Sequence, residues 1–425
     1  MKQIFFNKIK TKLTKNEFNK NVLILSGGTV ISQILPIAVS PILSRIYTPY
    51  DFGVLALFVS ITSIVSVIAN GRYELAIMLP EKDEDAINVA AIGFIFNIII
   101  SFLFLLIVLL LKDPFLKLLK AESLSFWIYF APLTVFFNGI FTILNYTNNR
   151  FKLYKDISKA IILKGIVVSS IQLIMGFLKK SSFGLISGEI ISKAVANTKL
   201  FINIKNTGLL KEVKKEKIKE VALKFSNFPK YSMWSALLNV SGYQLTNILI
   251  GIFFGSYYLG QYYMAFRILG IPTTFIGSAI SQVFFKQATE EVQKTGKAIN
   301  TFKSTFKKLL IISIPIFLSI FIFVKPLFPI VFGETWKDAG LYAMILTPLF
   351  FVRFISSNLS IILIVFEKNK IELIINFFIN FINVIVIILV KNFNFFIIFL
   401  TISLSVIYFL FAVYYFKLSR SNKLS

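Results

Sequence analysis

FGVLALFVSITSIVSVIA, residues 52–69, carries no charge. As a helix it is long enough to cross the hydrocarbon core of a bilayer. NGRYELAIMLP (70–80) follows, so that Arg72 and Glu74 arrive before the apolar character ends at Pro80. Charged groups at membrane depth are costly and mark pathways or sites. The reading of this stretch as one span, 52–79, with two charges near its end sets the class of the whole chain.

The rest of the sequence agrees with that class. Of 425 residues 56% are hydrophobic, with mean hydropathy +0.78, above a soluble globular chain. Runs of about 20 apolar residues fall near 22–46, 52–79, 86–111, 123–147, 157–178, 183–204, 231–254, 258–284, 307–332, 339–366, 370–390 and 394–416. They predict an all-α polytopic membrane protein of twelve transmembrane helices. The alternating pattern of an outer-membrane barrel is missing.

A net charge of +25 raises nucleic acid as a partner, but Lys and Arg gather between spans in the manner that orients membrane proteins. With both termini cytoplasmic, inner segments hold about 31 Lys/Arg and outer ones about 8. The first apolar run reads as a retained anchor rather than a cleaved signal. The chain then divides into a basic N-terminus (1–21), a six-helix lobe (22–204), a basic amphipathic linker (205–230), a second six-helix lobe (231–416) and a tail (417–425). In the linker, Val213, Ile218, Val221, Leu223 and Phe225 recur at helical spacing, predicting a helix lying on the inner leaflet. A weak echo, IYTPYDFGVLALF (46–58) against FFGSYYLGQYYMAF (253–266), sets Gly53 opposite Gly260 at matching hairpins, as in transporters built from repeats.

No catalytic constellation is present. The chain contains no His and no Cys, and no phosphate-binding loop or nucleotide fingerprint, so no cofactor or metal is expected. The informative residues are charges inside spans. Arg267 and Arg353 have apolar sequence on both sides and should face a bundle interior or wet cavity. An arginine fork suits phosphate. Arg72 and Lys164 have snorkelling as an alternative. Glu189 and Lys193, four apart, are placed to satisfy each other, and Lys325 beside Pro326 reads as interfacial. Arg45 and Asp51 lie at the outer end of the first hairpin. Glu74 either orients a cation or supplies a protonatable site; two positions apart on a helix, it should point about 200° away from Arg72. Pro36, Pro41, Pro132, Pro272, Pro315 and Pro348 permit bends.

LSRIYTPYDFGVLALFVSITSIVSVIANGRYELAIMLPEKDEDA (43–86) resembles the N-terminal hairpin of bacterial polysaccharide-biosynthesis flippases, which export O-antigen and capsule repeat units within the multidrug/oligosaccharidyl-lipid/polysaccharide exporter superfamily. The SRIYTPYDFG turn and the GRYELAIMLP stretch with its acidic loop carry the likeness; the C-terminal half matches by layout. The resemblance implies two six-helix lobes around a central cavity in the cytoplasmic (inner) membrane. It implies a substrate of oligosaccharide on undecaprenyl pyrophosphate, with membrane lipids around it and the polysaccharide polymerase machinery a further partner. It also implies cationic substrate-binding residues; Arg45, Arg72, Lys164, Lys193, Arg267 and Arg353 are the candidates, with Glu74 and Glu189 in coupling or orienting roles. Four other readings stay open: a drug antiporter of the same superfamily, a peptidoglycan-precursor flippase, a membrane polysaccharide polymerase or ligase, and a structural membrane scaffold, which would leave the mid-span arginines as an unexplained cost. The antiporter should hold acidic cavity residues, the precursor flippases have fourteen spans, and the polymerases carry large outer loops.

Overall fold

The computed structural model describes residues 17–178 and 181–422. The basic stretch 1–16 and the last residues of the tail lie outside the described residues. Helices α1 (Glu17–Ile46), α2 (Pro49–Ser66), α3 (Tyr73–Ala76), α4 (Asp83–Leu118), α5 (Ala131–Arg150), α6 (Tyr154–Leu178), α7 (Ser182–Asn206) and α8 (Lys215–Lys224) make up the first part. The second contains α9 (Met233–Phe254), α10 (Ser256–Leu269), α11 (Ser278–Thr295), α12 (Ile299–Phe332), α13 (Lys337–Leu359), α14 (Ile362–Val365), α15 (Asn369–Leu389) and α16 (Phe393–Arg420). No strand occurs among the described residues.

Among the described residues nine helical segments are long and apolar enough to cross a membrane, or ten if the bent pair 228–242 and 244–254 is one span. The other two of the twelve predicted spans fall on α7 and α15. Glu189, Lys193, Lys199 and Lys205 make α7 too polar, and on α15 (Asn369–Leu389) the stretch Ile374–Leu389 counts as a shorter apolar helix among the described residues.

The chain forms two compact units, and their limits differ from the predicted lobes. The first holds 1–46, 61–116 and 122–237; the second holds 47–60, 117–121 and 238–425. The transfer of 47–60 to the second unit has a local cause. A Cβ on Gly53 would fall on the carbonyl oxygen of Ser256, and one on Gly260 would fall on that of Pro49. Pro49 and Ser256 each open a helix four residues before the glycine. The contact is therefore reciprocal, and the weak echo in sequence is a two-fold crossing of α2 and α10 through which backbone touches backbone. Small residues permit that approach in membrane helices. Thr48 and Asp51 close a capping box over the start of α2: the Thr48 hydroxyl donates to Asp51 Oδ2 at 2.7 Å, and Asp51 N–H donates back to Thr48 Oγ1 at 3.3 Å.

In the first unit α6 and α7 pack on each other and α1 packs along α6. A core of Tyr73, Ala76, Ile77, Ile87, Ile143, Leu144, Leu200 and Val221 joins α3, α4, α5, α7 and α8. Val221 of the predicted amphipathic linker belongs to this core. Helix α8 lays Val221, Ile218 and Ala222 against this core. Leu223, placed on the apolar face by spacing, is 68% exposed. Lys217 secures the docking, reaching Glu84 at 3.0 Å and Asp85 at 3.3 Å. Tyr73 donates to the Ala222 carbonyl at 3.0 Å, and the Asn88 amide donates to the Glu212 carbonyl at 2.9 Å.

The second unit packs α12 on α13, α13 on α16 and α10 on α13. Gln261, fully buried, ties α10 to the start of α13: it donates to the Thr335 carbonyl at 2.7 Å and accepts from Ala339 N–H at 2.9 Å. Phe52 meets Trp336 edge-on at 5.2 Å between ring centroids. The span predicted over 258–284 falls within one helical segment, Ser256–Thr295, in which Pro272 precedes a wide π-helical turn at Thr273–Gly277.

Candidate functional site

The stretch that set the class does not continue as one helix. Helix α2 stops at Ser66 and the chain turns through 67–72, with Gly71 N–H donating to the Ile68 carbonyl at 3.0 Å. Gly71 and Arg72 both take left-handed backbone, φ 58° and 61°, which ends a right-handed helix. The break reverses one expectation. Arg72 and Glu74 are not on a common helix, and Arg72 Nη1 meets Glu74 Oε1 at 3.2 Å. Glu74 is 3% exposed and Arg72 25%. Around them Asn70 donates to the Gly139 carbonyl at 3.1 Å, and Asn97 donates to the Phe136 carbonyl at 2.9 Å. Asn70 Oδ1, Arg72 Nε and Glu74 Oε2 are buried with no partner among the described residues. Beyond the break, Arg150 clasps the following turn, donating to Asp83 Oδ1 at 3.0 Å and to the carbonyls of Met78 and Glu81, each at 3.2 Å.

Elsewhere in the first unit, Lys193 and Glu189 pair at 3.5 Å on α7. Lys164, on α6, lies over the Phe141 ring at 5.3 Å. Arg45 sits exposed in the last turn of α1, and Lys325 is exposed on α12.

The second unit holds a cavity of about 410 Å³ lined by residues of α2, α9, α10, α13, α15 and α16. Arg267 and Arg353 both line it, while Arg45, Arg72, Lys164 and Lys193 belong to the first unit. Arg353 rests over the rings of Phe266 and Phe350, at 5.3 and 5.6 Å. Such stacking holds a guanidinium at a desolvated position. Arg267, half-buried, has no carboxylate within 4 Å among the described residues.

Sequence reading missed the most regular feature of this wall. Asn376, Asn380 and Asn383 line the cavity from α15, spaced four and three apart on one helical face. Asn239, Gln244, Thr246 and Asn247 add further polar groups from α9. Asn380 donates to the Asn376 carbonyl at 2.7 Å, and Asn383 to Thr246 Oγ1 at 2.9 Å. Their Oδ1 atoms are buried and unpartnered among the described residues. Gly242 makes room for this stripe, since a Cβ there would lie 2.6 Å from Asn380 Nδ2. The signal was the run NFFINFIN (376–383), an amide at every helical turn of an otherwise apolar helix.

Known proteins resemble this arrangement at the level of sequence and fold. The sequence model described as polysaccharide biosynthesis protein matches residues 42–341. The chain belongs to that family. An uncharacterized membrane protein in the cps region of Klebsiella pneumoniae is 25% identical over 382 residues, covering 87% of this chain and 74% of the relative. A teichuronic acid biosynthesis protein, TuaB of Bacillus subtilis (strain 168), is 29% identical over 115 residues, which is 27% of this chain and 24% of TuaB. Among solved structures, the inward closed conformation of the lipid II flippase MurJ superposes with a TM-score of 0.73 at 13% identity, covering 93% of this chain and 90% of that one. An inward-facing MATE multidrug transporter of the MOP superfamily gives 0.64 at 15% identity, with 94% of each chain covered. The fold is therefore that of the MOP transporters.

Proposed function

We propose that the protein is a lipid-linked oligosaccharide flippase. It carries repeat units of an O-antigen or capsule type, on undecaprenyl pyrophosphate, from the inner to the outer leaflet of the cytoplasmic membrane by alternating access. The observation that carries this reading is the cavity of the second unit. Two arginines and a stripe of asparagines line it, in a chain of the polysaccharide biosynthesis family. Arginine is suited to phosphate and carboxylate, and amides to hydroxyl groups. In the first unit Arg72, Lys164 and Lys193 would meet negative charge on the same substrate, with Arg45 at the end of α1. Glu74 and Glu189 hold two of these cations in place.

Two rivals fit less well. No acidic side chain lines the cavity among the described residues, where a cation antiporter would need one. A polymerase or ligase would need a large loop to hold its glycan, yet the connections at 47–48, 255 and 390–392 are minimal.

The test is made in a deletion strain complemented with wild type, Arg267→Ala or Arg353→Ala, reading the leaflet distribution of lipid-linked oligosaccharide. Accumulation on the inner leaflet, relieved by wild type and not by either variant, is expected. Normal export with unpolymerised repeats outside would overturn the reading in favour of a polymerase.

A further inference from the structure

We infer that a groove between α12, α13 and α16 binds an anionic phospholipid, which lays one acyl chain along the groove and sets its phosphate against Lys303 and Arg420. The groove lies within the second unit and shares no lining residue with the cavity that holds Arg267 and Arg353.

The groove encloses about 350 Å³. Phe302, Phe306 and Leu310 line it from α12, four residues apart and so on one helical face. Phe409, Val413 and Phe416 line it from α16. Phe306, Phe409 and Val413 are exposed, so the described chain leaves the groove open. From Phe302 to Leu310 a helix rises about 12 Å, which is within one leaflet of a hydrocarbon core about 30 Å thick. An acyl chain matches that length, whereas a polyprenyl tail, longer than a leaflet, would overrun it.

One end of the groove carries charge. Ala298 N–H donates to the Ser419 carbonyl at 3.0 Å, which pins the last turn of α16 to the start of α12. Phe302 meets Phe416 at 5.9 Å between ring centroids, and Arg420 lies over the Phe416 ring at 5.5 Å. Lys303, next to Phe302, is the one charged residue in the lining among the described residues. Lys303 and Arg420 are both exposed, and neither has a carboxylate within 4 Å among the described residues. The acid on this side is already engaged: Glu291 accepts from Asn300 N–H at 3.0 Å and from Thr301 N–H at 2.7 Å, closing the start of α12. A phosphate would therefore meet side chains, the compact charge of a lysine and the fork of an arginine. Lys307, Lys308 and Lys417, also exposed, strengthen the attraction to an anionic leaflet. The charge bias between loops puts this end at the cytoplasmic face.

The first unit supplies the comparison. Its third, fourth and sixth predicted spans, α4, α5 and α7, form an apolar groove of about 250 Å³ lined by Ile87, Phe94, Leu144 and Phe201. Helices α12, α13 and α16 are the third, fourth and sixth predicted spans of the second half. In the first unit the connection after α7 adds Leu210 and Val213 to the lining, and no charged residue lines it among the described residues. In the second unit no described segment takes that part, and Lys303 stands there instead. One groove is thus completed by the chain, and its counterpart is left open beside cations. Within a bilayer hydrocarbon fills an open apolar groove, and the cations select which lipid provides it.

The test purifies the full-length protein in detergent micelles doped with dioleoyl phosphatidylglycerol, dioleoyl phosphatidylcholine or undecaprenyl phosphate. Lipid retained on the intact protein is counted by native mass spectrometry. Phosphatidylglycerol should be retained at least fivefold over phosphatidylcholine, and undecaprenyl phosphate should not displace it. Lys303→Glu combined with Arg420→Glu should remove the preference; both side chains are exposed, so the fold is expected to stand. Ala412 lines the groove, and Ala412→Trp should fill it and bring phosphatidylglycerol down to the phosphatidylcholine level. Val413→Glu, at an exposed lining position, repeats that test should Ala412→Trp fail to fold. Equal retention of the two phospholipids, or a preference that survives charge reversal or filling, would overturn the inference. Displacement by undecaprenyl phosphate would overturn it too, by giving the groove to a polyprenyl tail.

Discussion

Arg72 meets Glu74 because the chain leaves the helix between Ser66 and Tyr73. The sequence marks Arg72 as a charge in an apolar run, and helical geometry separates it from Glu74. The dipeptide Asn70–Gly71 just before it is a strong turn signal, and the turn it makes brings the two side chains together at 3.2 Å. The pair was hidden because a side-chain direction follows from the backbone, and the backbone leaves the helix here. Glu74→Ala would leave the partly buried guanidinium unpaired and should cost about 3 kcal/mol, read as a lower unfolding temperature in detergent. An unchanged melting point would show the pair to be dispensable. Arg72→Lys keeps the charge but loses the planar fork. Transport should fall while stability holds; full transport by this variant would rule out recognition of phosphate by a fork at this position.

At the scale of elements the two ends of legibility are α10 and α15. The YYLGQYYMAFRILG run announces a mid-span arginine, and that arginine lines the cavity. The asparagines of α15 carry no charge, so a search for costly groups passes over them. Their pattern is visible only once the helix face is known to look into a cavity. The crossing of α2 and α10 gives a sharper test. Gly53→Ala and Gly260→Ala each force the helices apart, at about 1–3 kcal/mol for overpacking. The two positions share a single contact, so the double variant should cost much less than the sum of the singles. Additive melting shifts would mean that the helices do not touch there. A second element-level test concerns α8. Lys217→Glu sets a carboxylate beside Glu84 and Asp85 and should release the helix, so that its backbone opens to trypsin after the already exposed Lys214 and Lys215. Cleavage at the wild-type rate would contradict the docking. The hydrogen bond to Glu84 raises the Lys217 ammonium above its usual range. The contact also holds the Glu84 carboxyl below its usual range; it is therefore complete at neutral pH, and is lost as pH rises through the raised Lys217 value or falls through the lowered Glu84 one.

For the whole molecule, the all-α membrane class and the MOP fold follow from hydropathy and the first hairpin, whereas the count and limits of the spans do not. Span limits depend on where helices break, and a break such as Gly71–Arg72 depends on packing as much as on composition. The proposed cargo is anionic, and a negative cell interior favours its outward movement by about 2.3 kcal/mol per charge at 100 mV. Collapse of the potential at a constant pH gradient should slow flipping in vesicles; an unchanged rate would exclude the potential as a driving force.

The composition of the cavity has one more consequence, for letting go rather than for capture. Its polar wall is made of guanidinium, amide, hydroxyl and phenol groups, and the chain contains no histidine. Guanidinium stays charged throughout the physiological range, and amides do not titrate. Nothing described on that wall can be discharged by a modest change of acidity to loosen a bound anion. Release has to come from shape and water: the wall must part, and solvent must take over each hydrogen bond the protein gives up. A cargo held this way leaves by being hydrated.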